Sequence, residues 1–130
     1  MKASKTVGIQ YAALPYRVVR RRVEVMLITS RETRRWVIPK GWPMRGIAPH
    51  DVAAIEAEEE AGIVGEVDDR SIGSFRYLKR VKTDRTIAVQ VIVFPLLVQG
   101  QQVDWKEQGQ RTATWFPYAR AAAAVSDARA

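Results

Sequence analysis

Glu56, Glu59 and Glu60 are the residues whose type and spacing carry the clearest chemistry. On a helix at about 100° per residue, Glu56 and Glu60 lie about 40° apart and Glu59 about 60° to the other side of Glu56, so the three share one face while Glu58 points away. Like charges at these spacings destabilise a helix by a few tenths of a kcal/mol each, and near a C-terminus the helix dipole disfavours them further. Two readings follow from the spacing alone. One is a solvated acidic face. The other is a site where carboxylates four residues apart hold a hard, oxygen-loving divalent cation with positions open for water and phosphate. In the second reading a neighbouring carboxylate on the same face can take a proton from water.

The elements that position these acids are read from punctuation and periodicity. Pro49 suits the first turn of a helix, Asp51 complements its positive end and Gly62 stops it. Residues 6–14, 22–29 and 36–38 read as strands, and residues 40–46, with two glycines and a proline, as loop. Residues 71–81 alternate loosely, and residues 87–98 are β-branched and nearly all apolar, as a central strand requires. Thr83-Asp84 turns these two into a hairpin. Residues 100–111 read as a polar loop, 113–116 as a short strand and 117–125 as an alanine-rich helix.

The chain has 130 residues, 47% hydrophobic and 27% charged, which suits one domain with a single core. The absence of cysteine excludes disulfides, thiol nucleophiles and cysteine-bound zinc, and fits a reducing compartment. We find no signal-peptide pattern and no apolar run long enough to span a bilayer, so a soluble, cytoplasmic protein without a membrane partner is expected. The formal charge of +7 predicts anionic partners. It is unevenly spread. Residues 41–63 hold Asp51, Glu56, Glu58, Glu59 and Glu60 against Arg45 alone, a net −4 that leaves +11 elsewhere. An acidic island in a basic frame suits a site that holds a cation and a polyanion together.

Residues 41–63, GWPMRGIAPHDVAAIEAEEEAGI, resemble the Nudix box, the 23-residue loop-helix-loop of the MutT-like Nudix hydrolases, written GX5EX7REUXEEXGU with U aliphatic. Gly41, Glu56, Glu59, Glu60, Gly62 and Ile63 match, and Ala57 stands in for the first aliphatic. Thr29-Ser30-Arg31, Arg35-Trp36-Val37-Ile38-Pro39 and Thr114-Trp115-Phe116-Pro117 extend the resemblance over nearly the whole chain, and the first two look most like the branch of diphosphoinositol polyphosphate and diadenosine polyphosphate hydrolases. Two positions depart: Ile47 stands where the pattern has its first Glu, and Ile55 where it has Arg. Both exchange a charge for an aliphatic and the two charges are of opposite sign, so neither leaves an orphan. We expect Ile47 to pack against Ile55 in place of an ion pair, an exchange that is often neutral or stabilising.

The resemblance implies an α/β/α Nudix sandwich, a mixed β-sheet between helices, as a single domain over residues 1–130. It implies hydrolysis of a phosphoanhydride in a highly anionic small molecule, with Mg²⁺ or Mn²⁺ held by Glu56 and Glu60 and Glu59 as the base. Substrate contacts implied are Ser30, Arg31, Lys40, Gly41, Trp42, Arg85 and Arg111, with Arg17 a weaker candidate. An RNA 5′-end pyrophosphohydrolase, or a catalytically weak nucleotide- or RNA-binding regulator, is the alternative, and RNA stays a second partner class; oligomeric state is not legible. Trp36, Trp105 and Trp115 read as packing residues, Arg20-Arg21-Arg22 as a solvated turn with electrostatic steering as the alternative, and His50 as exposed.

Overall fold

The computed structural model of the protein describes residues 7–127. Thr6, our expected strand start, and the two ends of a 1–130 domain lie outside the described residues. In chain order the elements are β1 (Val7–Val19), β2 (Arg22–Thr29), β3 (Trp36–Val37), β4 (Lys40–Gly41), α1 (Pro49–Ala61), β5 (Ile63–Val67), β6 (Gly73–Lys82), β7 (Arg85–Gln101), β8 (Ala113–Pro117) and α2 (Tyr118–Asp127). The strands form one mixed sheet in the order β3-β2-β1-β7-β5, with β4 on β1, β6 on β7 and β8 on β2. Only β1 and β7 run parallel among the described pairs, from Val7↔Ala88 to Tyr16↔Leu97, and they form the buried centre.

Alternation along this central pair splits the core. Ala13, Phe94 and Leu96 face α1, where they meet Ala53, Ala57, Ala61 and Ile63. Ala12, Val89, Val91 and Val93 face the other way and are joined by Phe75, Tyr77 and Ile38. A third cluster, Val25, Leu27 and Ala121, seats α2 on β2. The small residues of α1 let it lie close to the sheet, so a helix carrying four acids in its last two turns is anchored by alanines.

Several boundaries differ from the sequence reading for identifiable reasons. β1 runs to Val19 and turns straight into β2 through Arg20 and Arg21, both with positive φ (50° and 67°), as a two-residue hairpin turn demands. Lys40–Gly41, read as loop, forms β4 because it pairs Tyr11↔Gly41 and Ala12↔Lys40 across β1. β5, unread in the sequence, is an edge strand with a register shift at Val64/Gly65. The β6–β7 hairpin and the helix over Pro49–Ala61 stand as expected. No helix among the described residues is long and apolar enough to cross a membrane.

Candidate active site

Helix α1 begins at Ala48, which offers no side-chain cap, and enters through Pro49 with Asp51 in its first turn. It ends at Gly62, whose φ of 71° is left-handed and whose N–H reaches the carbonyls of Ala57 and Glu58. A side chain at Gly62 would also strike the ring of Trp105, 2.4 Å from where its Cβ would stand. The last turn contains no basic residue. Its acids therefore face the unfavourable end of the helix dipole without help from their own helix.

Glu56 and Glu60 are brought carboxyl to carboxyl, so that either can donate to the other when it carries a proton. Glu56 also lies flat against Gly41: a Cβ on that glycine would stand 2.3 Å from the Glu56 carboxyl. The box glycine is thus required by the close approach of the carboxylate, and β4 places it there by pairing with β1. Glu60 is only 7% exposed. Burial, then its hydrogen bond to Glu56, pushes its carboxyl up to about 9, with Arg111 acting the other way. Glu56 is raised as well, by burial first and then by Glu59 and Glu107 beyond the Glu60 bond that opposes them. A buried carboxyl next to a second one favours its neutral form, because ionising both would set two like charges side by side.

Around the pair stand cations and two further acids. Lys40 is lowered by burial, against the pull of Glu60, and its Nζ sits 5.1 Å from the ring centre of Tyr77, whose hydroxyl donates to Gln10 Oε1 at 2.7 Å. Arg111 Nη2 lies 3.9 Å from Glu60 Oε1, and its Nε donates to Glu107 Oε1 at 2.8 Å. Glu59 turns to Lys106 at 3.7 Å. Among the described residues no three acid or histidine side chains already enclose a metal-sized space. The donor set nevertheless fits a hard divalent cation: the side-chain donors that meet here are carboxylate oxygens of Glu56 and Glu60, with no thiolate or imidazole among them.

The remaining sequence candidates are distributed around this centre. Ser30 caps the turn after β2, its Oγ meeting Thr33 Oγ1 and accepting from the N–H groups of Thr33 and Arg35. Arg31 donates to Gln110 at 3.0 Å, which ties that turn to the loop carrying Arg111. Trp42 is 41% exposed and leans over Gly8 at the start of β1. Arg85 is not brought in: it lies at the hairpin tip, four residues along β7 from Val89, the partner of Tyr77, or about 13 Å along the strand. Arg17 is engaged elsewhere, paired with Glu24 at 2.7 Å and lying 3.9 Å over the ring of Trp115. His50 is half-buried against Phe94, 6.4 Å between ring centres, where exposure was expected. Trp36 packs on Phe116 as expected.

Glu107 and Lys106 join the site without having been singled out in the sequence, and Thr29, quoted there only within the Thr29-Ser30-Arg31 resemblance, joins it through its carbonyl. Glu107 is four residues before Arg111, a spacing that announces an ion pair on a helix, but here both lie in a loop. Ile47 and Ile55 line one surface cavity of about 490 Å³ on the opposite flank of α1, with Ala54, Ile63, Val64 and Leu96. They line one space, where packing of one against the other was expected, and Ile47 remains 40% exposed within it.

Two curated relatives align over about four fifths of the chain. Nudix hydrolase 17, mitochondrial, of Arabidopsis thaliana is 30% identical over 105 residues, which is 81% of this chain and 56% of the relative. Nudix hydrolase 18, mitochondrial, of the same plant is 31% identical over 104 residues, 80% of this chain and 57% of the relative. This chain belongs to the Nudix hydrolase family. It spans a little over half the length of these two Nudix relatives. No family model matches the chain. Solved structures show the same Nudix fold at low identity. An Ap4A hydrolase of C. elegans superposes with a TM-score of 0.66 at 18% identity, covering 93% of this chain and 88% of that one. The Nudix domain of Shewanella oneidensis NrtR, complexed with ADP ribose, gives 0.66 at 12% identity, covering 97% and 88%. A Nudix hydrolase from Nitrosomonas europaea gives 0.67 at 16% identity, covering 93% and 79%.

Proposed function

We propose that this domain hydrolyses a phosphoanhydride bond in a highly anionic small molecule of the dinucleoside polyphosphate or diphosphoinositol polyphosphate type, with a divalent cation, Mg²⁺ or Mn²⁺. The observation that carries the reading is the buried Glu60 beside a half-buried Glu56 that is pressed against Gly41. A chain selected for stability alone has no use for two desolvated carboxyls beside each other at a helix C-terminus. Glu56 and Glu60 are the residues that would hold the cation, which supplies charge neutralisation on phosphate oxygens and a more acidic water. Glu59, on the same face and half-exposed, is the base that accepts the proton of the attacking water. Lys40, kept in place by burial over Tyr77, offers a positive charge beside the box glycine for the substrate's phosphates, and Arg31 and Ser30 lie at the rim. Trp42, exposed over Gly8, is available to stack on a base or ring. The Ap4A hydrolase and ADP ribose complex among the structural neighbours support a nucleotide-type polyphosphate.

RNA 5′ ends are the second reading, favoured by the exposed basic side chains of the β6–β7 hairpin, Arg76, Arg80, Lys82 and Arg85. A panel of diadenosine polyphosphates, diphosphoinositol phosphates, nucleoside diphosphate sugars and 5′-triphosphate RNA, assayed with Mg²⁺ and Mn²⁺, separates these. Turnover of none of them under either metal sinks the hydrolase reading.

A further inference from the structure

Ile55 leaves α1 without the arginine that the Nudix pattern places just before Glu56, and its last turn has no basic residue of its own. The positive charge arrives from another part of the chain. Residues 102–112 fold back over the C-terminal end of α1: the N–H of Gln102 donates to the Gly62 carbonyl at 2.8 Å, and that of Glu107 to the Glu59 carbonyl at 2.9 Å. These bonds satisfy carbonyls that a helix end otherwise leaves free. Two cations come with the loop, Lys106 on Glu59 at 3.7 Å and Arg111 on Glu60 at 3.9 Å.

The two are not equivalent. Lys106 has a side chain 69% exposed, so its pair is solvent-screened. The Arg111 side chain is 12% exposed and its acid partners Glu60 and Glu107 are 7% and 15% exposed. Arg111 Nε donates to Glu107 Oε1 at 2.8 Å and Nη1 to the Thr29 carbonyl at 3.2 Å. Thr29 is itself locked to Thr112 by a backbone bond and a side-chain bond. A guanidinium is planar, so fixing two of its nitrogens fixes the direction of the third, and here that third nitrogen points at Glu60.

We propose that Arg111, clamped by Glu107 and the Thr29 carbonyl, is the positioning residue that aims Glu60 at Glu56, so that the 102–112 loop supplies the charge the box lost with Ile55. The inference rests on the reading above only in taking Glu56 and Glu60 as ligands of the cation. It departs from the role the family resemblance implies for Arg111, a grip on substrate phosphate, because two of its nitrogens donate within the protein and the third faces an acid.

The test uses Mn²⁺ alone, titrated by electron paramagnetic resonance into wild type, Arg111→Met and Arg111→Lys without substrate. Removing a nearby positive charge, taken by itself, strengthens Mn²⁺ binding; losing the orientation of Glu60 weakens it. We expect Arg111→Met to weaken Mn²⁺ binding about tenfold or more, as losses behind a metal ligand do. Arg111→Lys keeps the positive charge but loses the planar fork that Glu107 and Thr29 clamp. It gives a smaller loss of the same sign, where a pure charge role predicts none, and decides the matter if Arg111→Met does not fold. With a diadenosine polyphosphate, kcat falls about ten- to hundredfold while KM holds. Unchanged or tighter Mn²⁺ binding in both variants, or a raised KM with kcat intact, overturns the proposal in favour of a charge or phosphate-contact role. A wild type that binds Mn²⁺ and turns over no phosphoanhydride removes the hydrolase reading and leaves the Mn²⁺ comparison to decide on Arg111. A wild type that binds no Mn²⁺ overturns the positioning role itself.

Discussion

The two flanks of helix α1 solve the same problem in opposite ways. On one, Glu60 sits buried beside a half-buried Glu56, and a distant loop brings Arg111 and Lys106 to offset the acids. On the other, where the Nudix pattern places a Glu in the loop and an Arg on the helix, Ile47 and Ile55 line an apolar cavity rimmed by Asp51 and Glu58. Replacing a paired charge by aliphatics is cheap, and the second flank shows that this chain tolerates it. The first flank has kept its charges against desolvation, mutual repulsion and the helix dipole. The contrast locates function better than the acidic composition of the helix does.

The largest effects should fall on the charged flank. Glu59→Gln is expected to lower kcat by about 10²–10⁴-fold with Mg²⁺, the usual contribution of a general base, with little change in melting temperature because the side chain is half-exposed. Full activity in that variant would falsify the assignment of Glu59. Gly41→Ala comes next. Its Cβ would meet the Glu56 carboxyl at 2.3 Å, so the carboxylate must move. A displacement of about 1 Å at a catalytic group costs about 10²-fold, measurable as kcat at saturating metal. If Gly41→Ala turns over like wild type, the close packing of Glu56 on β4 plays no part in catalysis.

What the sequence disclosed of this contrast follows from where the determinants are local. Pro49, Asp51 and Gly62 bound the helix through first-turn and C-cap chemistry, and the face shared by Glu56, Glu59 and Glu60 is a matter of helical spacing. β4 was illegible because two residues after Pro39 have no periodicity, and they become a strand only through their pairing with β1. β5 was illegible because Gly65 interrupts five residues that already need a register shift to pair. The Glu107–Arg111–Thr29 clamp was hidden for a related reason. Arg111 and Thr29 are 82 residues apart, and only the β2–β8 pairing closes that distance.

Smaller, and opposite in sign, is the effect of the charged flank on stability. In the metal-free protein the carboxyl of Glu60 is raised to about 9 from an ordinary 4.5. The proton it binds in the folded state therefore contributes stability that is complete below about pH 4.5 and is lost as pH rises through about 9. Glu60→Gln, neutral at every pH and still able to hydrogen-bond Glu56, should melt higher than wild type at pH 8 by several degrees. Each kcal/mol corresponds to about 3–5 °C for a domain this size. The gap should narrow towards pH 5, and saturating Mn²⁺ should raise the wild type but not the variant. Equal melting temperatures across that range would mean that Glu60 is solvated in the free protein.

The smallest effect belongs to the apolar flank. Restoring the pattern with Ile47→Glu and Ile55→Arg together places two charges at a cavity that is open to solvent, with Ile47 already 40% exposed. Such a pair is worth about 0–1 kcal/mol, set against the loss of modest aliphatic burial, so the double variant should melt within a few degrees of wild type. Arginine at position 55 also stands four residues before Glu59 on the helix, where Lys106 already reaches from the loop. It therefore adds a second cation to an acid that has one, and leaves Glu60 and Arg111 as they are. Turnover should stay within about twofold of wild type, because no group that meets the substrate has moved. A rise of about tenfold or more in kcat would reverse the comparison, showing that the aliphatic pair weakens the box and that the loop's cations only partly make up for it.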